Sequence, residues 1–316
     1  MISLNELTYM LRDGDNFLLL AHRSPDGDTL GSAAALCRIL HKSGKHAALT
    51  CADPIPKMLE FLTVGLDKFD FEPDIIIAVD VASPQLLGAA FEHYADNVDI
   101  CIDHHKSNKL FAKNTYLDIT AAATAEIIYD IAIALNVDIC GKIAEAIYTG
   151  VVTDTGCFRF PNTSDRSHRI AAELMVAGVD AADINDRIFN TKSRACIEAE
   201  LMIMDTLEFY LDGKAASITI SLDTVERSGV EMSELDSMPN FLRQIEGVLV
   251  GASIKQSDDN QYRVSLRTRS PIDASAICAK FGGGGHAGAA GCVIDGDETH
   301  VKAALVKEIE NYLAAL

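Results

Sequence analysis

Three short apolar runs, each stopped by a histidine or an aspartate, constrain this chain more than any other feature. Phe17-Leu18-Leu19-Leu20-Ala21 stops at His22, and Ile75-Ile76-Ile77-Ala78-Val79 stops at Asp80. A third run, 99–102, stops at Asp103. A strand that is apolar at every position, not at alternate ones, is covered on both faces, as the strands of parallel sheets are. Helical patterns lie between and after these runs, at 29–43, 121–135 and 142–152, and the first is halted by Gly44. A further strand is expected at 46–52 and a short helix at 55–62. Strands alternating with helices predict an α/β fold with a largely parallel sheet. Ligands of such sheets bind beyond the carboxyl ends of the strands. His22, Asp80 and Asp103 all fall at those ends.

The texture changes further on. Helices are expected at 164–178 and 182–190, and one long helix at 194–210. Strands then follow at 215–222, 247–255 and 261–268, with a hairpin turn at Ser257-Asp258-Asp259-Asn260. Short helices at 273–280 and 299–313 complete an α+β unit. The chain has 316 residues, more than one small domain needs. Two domains are expected, 1–190 and 199–316, joined by a linker at 191–198.

Composition narrows the function. Lys and Arg number 27 against 46 Asp and Glu, for a net charge of -19. That balance disfavours long duplex DNA as a partner, which needs a positive field, and leaves small anionic substrates open. No apolar run approaches the roughly 20 residues that span a bilayer. The first residues lack a basic leader, so the expectation is a soluble, cytoplasmic protein. The eight cysteines form no C-x-x-C pair, and most sit among apolar neighbours as core thiols.

Four segments carry chemistry. His22-Arg23-Ser24-Pro25-Asp26-Gly27-Asp28 places an imidazole and two alternating carboxylates on a tight loop, where Asp28 also suits the cap of the next helix. Asp80 ends its strand, followed by Ser83-Pro84. Asp103-His104-His105 ends another. Asp154 lies where an apolar helix gives way to Thr155-Gly156, with Arg159 the cation nearby. Five carboxylates and three imidazoles thus gather at one sheet edge, too many carboxylates to stay ionised without cations among them. Oxygen ligands mixed with imidazole fit manganese, with magnesium or cobalt as substitutes. The count suits two ions roughly 3.5–4 Å apart, a spacing that clamps both oxygens of a phosphoryl displacement.

The strings H-x-x-P-D-G-D-x-x-G-S, V-D-x-x-S, D-H-H and G-x-x-x-D-T-G occur in that order and resemble the four motifs of the DHH phosphoesterase superfamily. The C-terminal Gly282-Gly283-Gly284-Gly285-His286 resembles the motif of the DHH-associated domain found in one branch. Within it, a compact two-domain chain is similar to the oligoribonuclease/pAp phosphatases and to the stand-alone cyclic-di-AMP phosphodiesterases. The resemblance implies that His22 and Asp26 hold one manganese, that Asp28, His104 and Asp154 hold a second, and that Asp80 bridges both. It implies that His105 faces the leaving group and that Asp103 orients an imidazole. The implied catalytic residues are therefore His105, Asp80 and Asp103. The glycine-rich loop, with its bare backbone N–H groups, suits an anion. Gly283, Gly284, Gly285, His286, Arg267 and, more weakly, Arg159 are the expected substrate contacts, with the second domain closing over the cleft.

The implied activity is hydrolysis of short single-stranded oligonucleotides or dinucleotides to nucleoside 5′-monophosphates, and of 3′-phosphoadenosine 5′-phosphate (pAp) to AMP. A homodimer is within that expectation. A cyclic-di-AMP/pApA phosphodiesterase shares the motifs. A manganese pyrophosphatase shares only the front ones, and a non-enzymatic nucleotide sensor would need a lost ligand that this chain retains.

Overall fold

The computed structural model describes residues 1–235 and 238–316. They divide into two compact units, Met1–Thr191 and Lys192–Leu316.

The first unit is a five-stranded sheet built from β1 (Phe17–Leu20), β2 (Ala47–Thr50), β3 (Ile75–Val79), β4 (Ile100–Asp103) and β5 (Asn114–Leu117). Its order is β2-β1-β3-β4-β5, and every pair is parallel. The chain winds outward in opposite directions from β1 and β3, so the crevice between their carboxyl ends is the switch point where such sheets bind ligands. Successive residues alternate between two cores. Phe17, Leu19, Ile77, Val79, Ile100 and Ile102 enter the larger one. Leu18, Leu20, Ile76, Ala78 and Cys101 enter the smaller.

Helices α1 (Leu4–Asp13), α2 (Gly27–Lys42), α3 (Thr124–Ala134), α4 (Lys142–Asp154), α5 (Asp165–Val176) and α6 (Ala181–Asn185) contribute to the larger core. The opposite face has a thinner cover of 3₁₀ turns at Pro84–Leu87 and Ala89–Asn97. Helices α2 and α4 pack closely because glycines face across the contact. A Cβ on Gly31 would lie 2.4 Å from the Ala146 carbonyl oxygen, and one on Gly150 would lie 2.7 Å from Asp28 Oδ1. Leu19, Leu30, Ile77 and Ile102 are fully buried in the larger core. Each such side chain contributes about 1.5–3 kcal/mol, which offsets the cost of a polar cluster at the sheet's edge.

The boundaries of α2, α3 and α4 differ from expectation, each for a local reason. Helix α2 starts two residues early because Asp26, not Asp28, is its cap: the Asp26 carboxylate accepts from the backbone N–H groups of Asp28 and Thr29, both at 3.0 Å. Helix α3 starts three residues late, since residues 121–123 form a turn whose carbonyl groups bond elsewhere. Helix α4 runs on through Asp154.

The second unit opens with α7 (Arg194–Met204), which stops well short of the expected residue 210. Thr206 is the reason: its hydroxyl donates to Ile203 O at 2.7 Å and accepts from Thr219 N at 2.8 Å, turning the chain into a strand. That strand, β6 (Glu208–Tyr210), joins β7 (Ala215–Ile220), β8 (Val250–Asp258), β9 (Gln261–Thr268), β10 (Gly284–His286) and β11 (Ala289–Asp295) in a mixed sheet ordered β10-β11-β9-β8-β7-β6. Helices α8 (Leu222–Ser228), α9 (Met238–Leu242), α10 (Ala274–Ala279) and α11 (Glu298–Ala314) complete the unit. Among the described residues no helix is long and apolar enough to cross a membrane.

Candidate metal centre

Strand ends supply the site. His22 follows β1, Asp80 follows β3, and Asp103-His104-His105 closes β4. Asp26 and Asp28 come from the start of α2, and Asp154 is the last residue of α4. Asp80 holds a left-handed backbone with φ of 61°. For a residue with a Cβ that conformation costs about 1–2 kcal/mol, and such strain collects at functional positions. The Thr29 hydroxyl binds the first two strand ends together, donating to Val79 O at 2.9 Å and accepting from His22 N at 3.3 Å.

Two imidazoles are held by backbone carbonyls. His22 Nδ1 lies 2.8 Å from Arg23 O, and His104 Nδ1 lies 3.1 Å from Ala121 O. A carbonyl oxygen only accepts, so each Nδ1 donates to it and each Nε2 is turned toward the carboxylates. The Nε2 of His22 faces Asp26 Oδ1 at 3.6 Å and Asp80 Oδ2 at 3.7 Å. That of His104 faces Asp154 Oδ2 at 3.3 Å, Asp80 Oδ1 at 3.7 Å and Asp28 Oδ2 at 3.9 Å. His104 Nε2 is buried and has no hydrogen-bond partner. Three carboxylates converge on that nitrogen, and a cation among them would satisfy all four groups.

Electrostatics agree with the geometry. Burial pushes Asp80 well above the usual carboxylate range, and the charges of Asp28, Asp26 and Asp154 push it further. Asp154 is driven up in the same way, by burial and by Asp28 and Asp26. Asp28 is raised chiefly by burial. Its oxygens accept from Thr124 N at 2.7 Å, Ala125 N at 2.9 Å and the Ser32 hydroxyl at 3.1 Å, which holds it in place despite that cost. The donor set fits divalent cations. Three groups have ligand atoms close enough to share one ion: His22 with Asp26 and Asp80, Asp28 with His104 and Asp154, and Asp80 with His104 and His105. Asp80 belongs to two of these groups and lies within 3.7 Å of His22 and His104, at the centre of the cluster.

Asp103 points away from this set. Its Oδ1 accepts from His105 Nδ1 at 2.8 Å and from the backbone N–H of His104, also at 2.8 Å, while Oδ2 accepts from Asn108 Nδ2 at 2.5 Å. The imidazole it orients is therefore His105. Burial works to raise Asp103, but the bonds from His105 and Asn108 outweigh it and hold the carboxyl below its usual range. The same bond from Asp103 raises His105.

Arg159 is turned onto its own loop. Its Nε donates to Gly156 O at 2.6 Å, and its guanidinium lies 6.0 Å from the Phe189 ring. Gly156, Cys157 and Phe158 are consecutive left-handed residues that reverse the chain after Asp154.

In the second unit, the glycine-rich segment is a hairpin at the sheet edge instead of an open loop. A Cβ on Gly283 would lie 2.2 Å from Gly291 O, and one on Gly285 would lie 2.6 Å from Ala289 O, so close strand approach requires both glycines. Gly284 has open space around it. Ala289 pairs with His286 on one side and Arg267 on the other. Cross-strand partners share a face, so the two basic side chains stand on one face about 10 Å apart, two strand spacings. Arg267 is held by Asn240 Oδ1 at 3.1 Å and Leu266 O at 3.0 Å.

Sequence reasoning did not single out Thr29, Asn108, Thr124 or Asn162, and Ser32 entered only as the last residue of the first motif. A signal was present for Thr124, a polar residue inside an otherwise apolar alanine run, 121–125.

Residues 16–151 match the DHH family, N-terminal domain, and residues 214–315 match the DHHA1 domain. The chain is 33% identical over 285 residues to a bifunctional oligoribonuclease and PAP phosphatase, NrnA, of Thermus thermophilus, covering 88% of this chain and 84% of that one. It is 28% identical over 291 residues to the Bacillus subtilis protein of the same name, covering 89% and 90%. Among solved structures, an exopolyphosphatase-related protein of Bacteroides fragilis superposes with a TM-score of 0.89 at 23% identity, over 98% of this chain and 96% of that one. That likeness shows a shared fold.

Proposed function

Because the chain belongs to the DHH family, we propose that it is a metal-dependent phosphoesterase that hydrolyses short oligoribonucleotides and dinucleotides to nucleoside 5′-monophosphates and converts pAp to AMP. The observation that carries this reading is His104 Nε2, buried and without a hydrogen-bond partner among Asp28, Asp80 and Asp154. His22, Asp26 and Asp80 would hold one divalent cation, and Asp28, Asp80, His104 and Asp154 the other. Manganese suits this mixture of carboxylate and imidazole without thiolate, with magnesium or cobalt as substitutes. Ions held there would supply a lowered pKa for a water and positive charge against the non-bridging oxygens of a phosphate.

The remaining work belongs to the chain. Asp103 fixes the His105 ring through Nδ1, which leaves Nε2 free to bond a phosphate oxygen or to deliver a proton to the departing one. Asp103 thus acts on the substrate through His105. Arg267, Gly283, Gly284, Gly285 and His286 are the substrate contacts assigned to the second unit, and Arg159 is a weaker one. The net charge of -19 favours small substrates over long polyanions.

The test is product analysis on 5′-phosphorylated oligonucleotides of graded length, together with pAp and cyclic-di-AMP, using the manganese-loaded protein. Mononucleotide release from the shortest oligonucleotides and AMP from pAp supports the reading. Turnover of cyclic-di-AMP alone moves the assignment to a cyclic dinucleotide phosphodiesterase, and no turnover of any substrate refutes it.

A further inference from the structure

The turn at residues 121–123 and the first two residues of α3 contribute no proposed metal ligand, yet they bond directly to three of the residues that do and reach a fourth through Asn162. Ala121 O accepts from His104 Nδ1 at 3.1 Å and so directs Nε2 into the carboxylate cluster. Thr124 N and Ala125 N donate to the two oxygens of Asp28 at 2.7 and 2.9 Å. The Thr124 hydroxyl donates to Asp80 Oδ1 at 2.8 Å. Asn162 Nδ2 spans Ala122 O and Asp154 O, at 2.9 and 3.0 Å, tying the turn to the end of α4. One short stretch of chain therefore sets the mutual positions of the Asp28, Asp80 and His104 side chains and ties them to the end of α4.

A turn with that task needs its own anchor, and Glu126 provides it. This carboxylate is fully buried on the first turn of α3. Its Oε2 accepts from Ala122 N at 3.2 Å, inside the turn, and its Oε1 accepts from the Ser167 hydroxyl at 2.5 Å. Arg166 Nε stands 3.7 Å from Oε2, while Arg166 Nη2 donates to the Glu126 carbonyl oxygen at 3.2 Å. The same guanidinium is braced by Asp118 at 3.2 Å and by Asp130 at 2.5 Å. Burying a carboxylate is costly unless it is paired and fully bonded. Here the bonds lock a loop, where an apolar residue of like size would only fill space.

We propose that Thr124 and Glu126 are positioning residues of the metal centre. Thr124 orients Asp80 through its hydroxyl. Glu126, gripped by Ser167 and Arg166 of α5, holds the turn that aims Asp28 and His104. The inference rests on reading the carboxylate–imidazole cluster as a metal site. Partners that orient metal ligands typically govern metal affinity by about 10–100-fold. These residues should therefore alter metal binding and kcat and leave KM nearly untouched.

The experiment compares wild type with Thr124→Val, Thr124→Ser, Glu126→Ala and Asp130→Asn. Metal-free protein is titrated with Mn2+, followed by the electron paramagnetic resonance signal of the free ion, and kcat and KM are measured on pApA. Thr124→Val is expected to bind Mn2+ about 10-fold or more weakly and to lose kcat in similar proportion, with KM unchanged. Thr124→Ser keeps the hydroxyl and should restore both. Glu126→Ala should weaken Mn2+ binding in the same direction. Asp130→Asn loosens Arg166 on the side away from the turn, and should lower thermal stability without changing Mn2+ affinity. Wild-type affinity and kcat in Thr124→Val, or a Thr124→Ser that behaves like Thr124→Val, would overturn the inference and leave the metal-site reading standing. Failure of the wild type to bind Mn2+ would overturn both.

Discussion

At the scale of single residues, Asp80 has the most conflicted environment. It is nearly buried, left-handed in backbone, and pressed by neighbouring carboxylates. Without a cation its charge would be a liability, and it belongs to two of the three groups that could hold one. Asp80→Asn keeps the shape and the bond from Thr124 but removes the charge. It should abolish activity and yet raise the melting temperature of the metal-free protein, by about 2–4 °C if relief is near 1 kcal/mol. Paired activity and calorimetry measurements check this. Asp103 differs, because it touches His105 and lies outside the three candidate metal groups. Asp103→Asn should lower kcat by about 10–100-fold while two Mn2+ still bind, as counted by equilibrium dialysis.

At the scale of elements, the site depends on how closely α2 and α4 approach. Gly150 lies where a Cβ would strike Asp28 Oδ1 and, at 2.5 Å, the Ala125 Cβ. Gly150→Ala must displace Asp28 or part the helices. Overpacking of this kind costs about 1–3 kcal/mol. The variant should unfold at lower denaturant concentration and bind Mn2+ more weakly, which chemical denaturation and metal titration would register. Strands β1, β3 and β4 were legible in the sequence because uninterrupted apolar runs ended abruptly in His or Asp. β5, β6 and β10 were not: they are three or four residues long and carry polar or glycine residues, so they have no periodicity to read. The turn at 121–123 read as helix because alanine favours helices, and tertiary bonds to His104 and Asn162 override that preference. Proposed ligands stand out by residue type. Their supports act largely through backbone N–H and C=O groups, which every residue has.

For the whole molecule, the fold class followed from the alternation of elements, and the five-stranded parallel sheet and the mixed C-terminal sheet bear it out. If the cluster holds metal as proposed, the density of like charge at one sheet edge should make the first unit's stability depend on it. Chelation with EDTA should lower its melting temperature, and Mn2+ should restore it by preferential binding to the folded state, by about 2.7 kcal/mol at 100-fold excess over Kd. A scan showing no response to either would contradict the metal centre. Hydrolysis at phosphorus by this centre leaves an isotopic signature in the product that labelled solvent reveals. When manganese-loaded protein cleaves pApA in H2 18O, one of the two AMP products should carry a single 18O in its 5′-phosphate, and Asp80→Asn should yield none. An unlabelled phosphate, label in the sugar, or full turnover by Asp80→Asn would contradict the account.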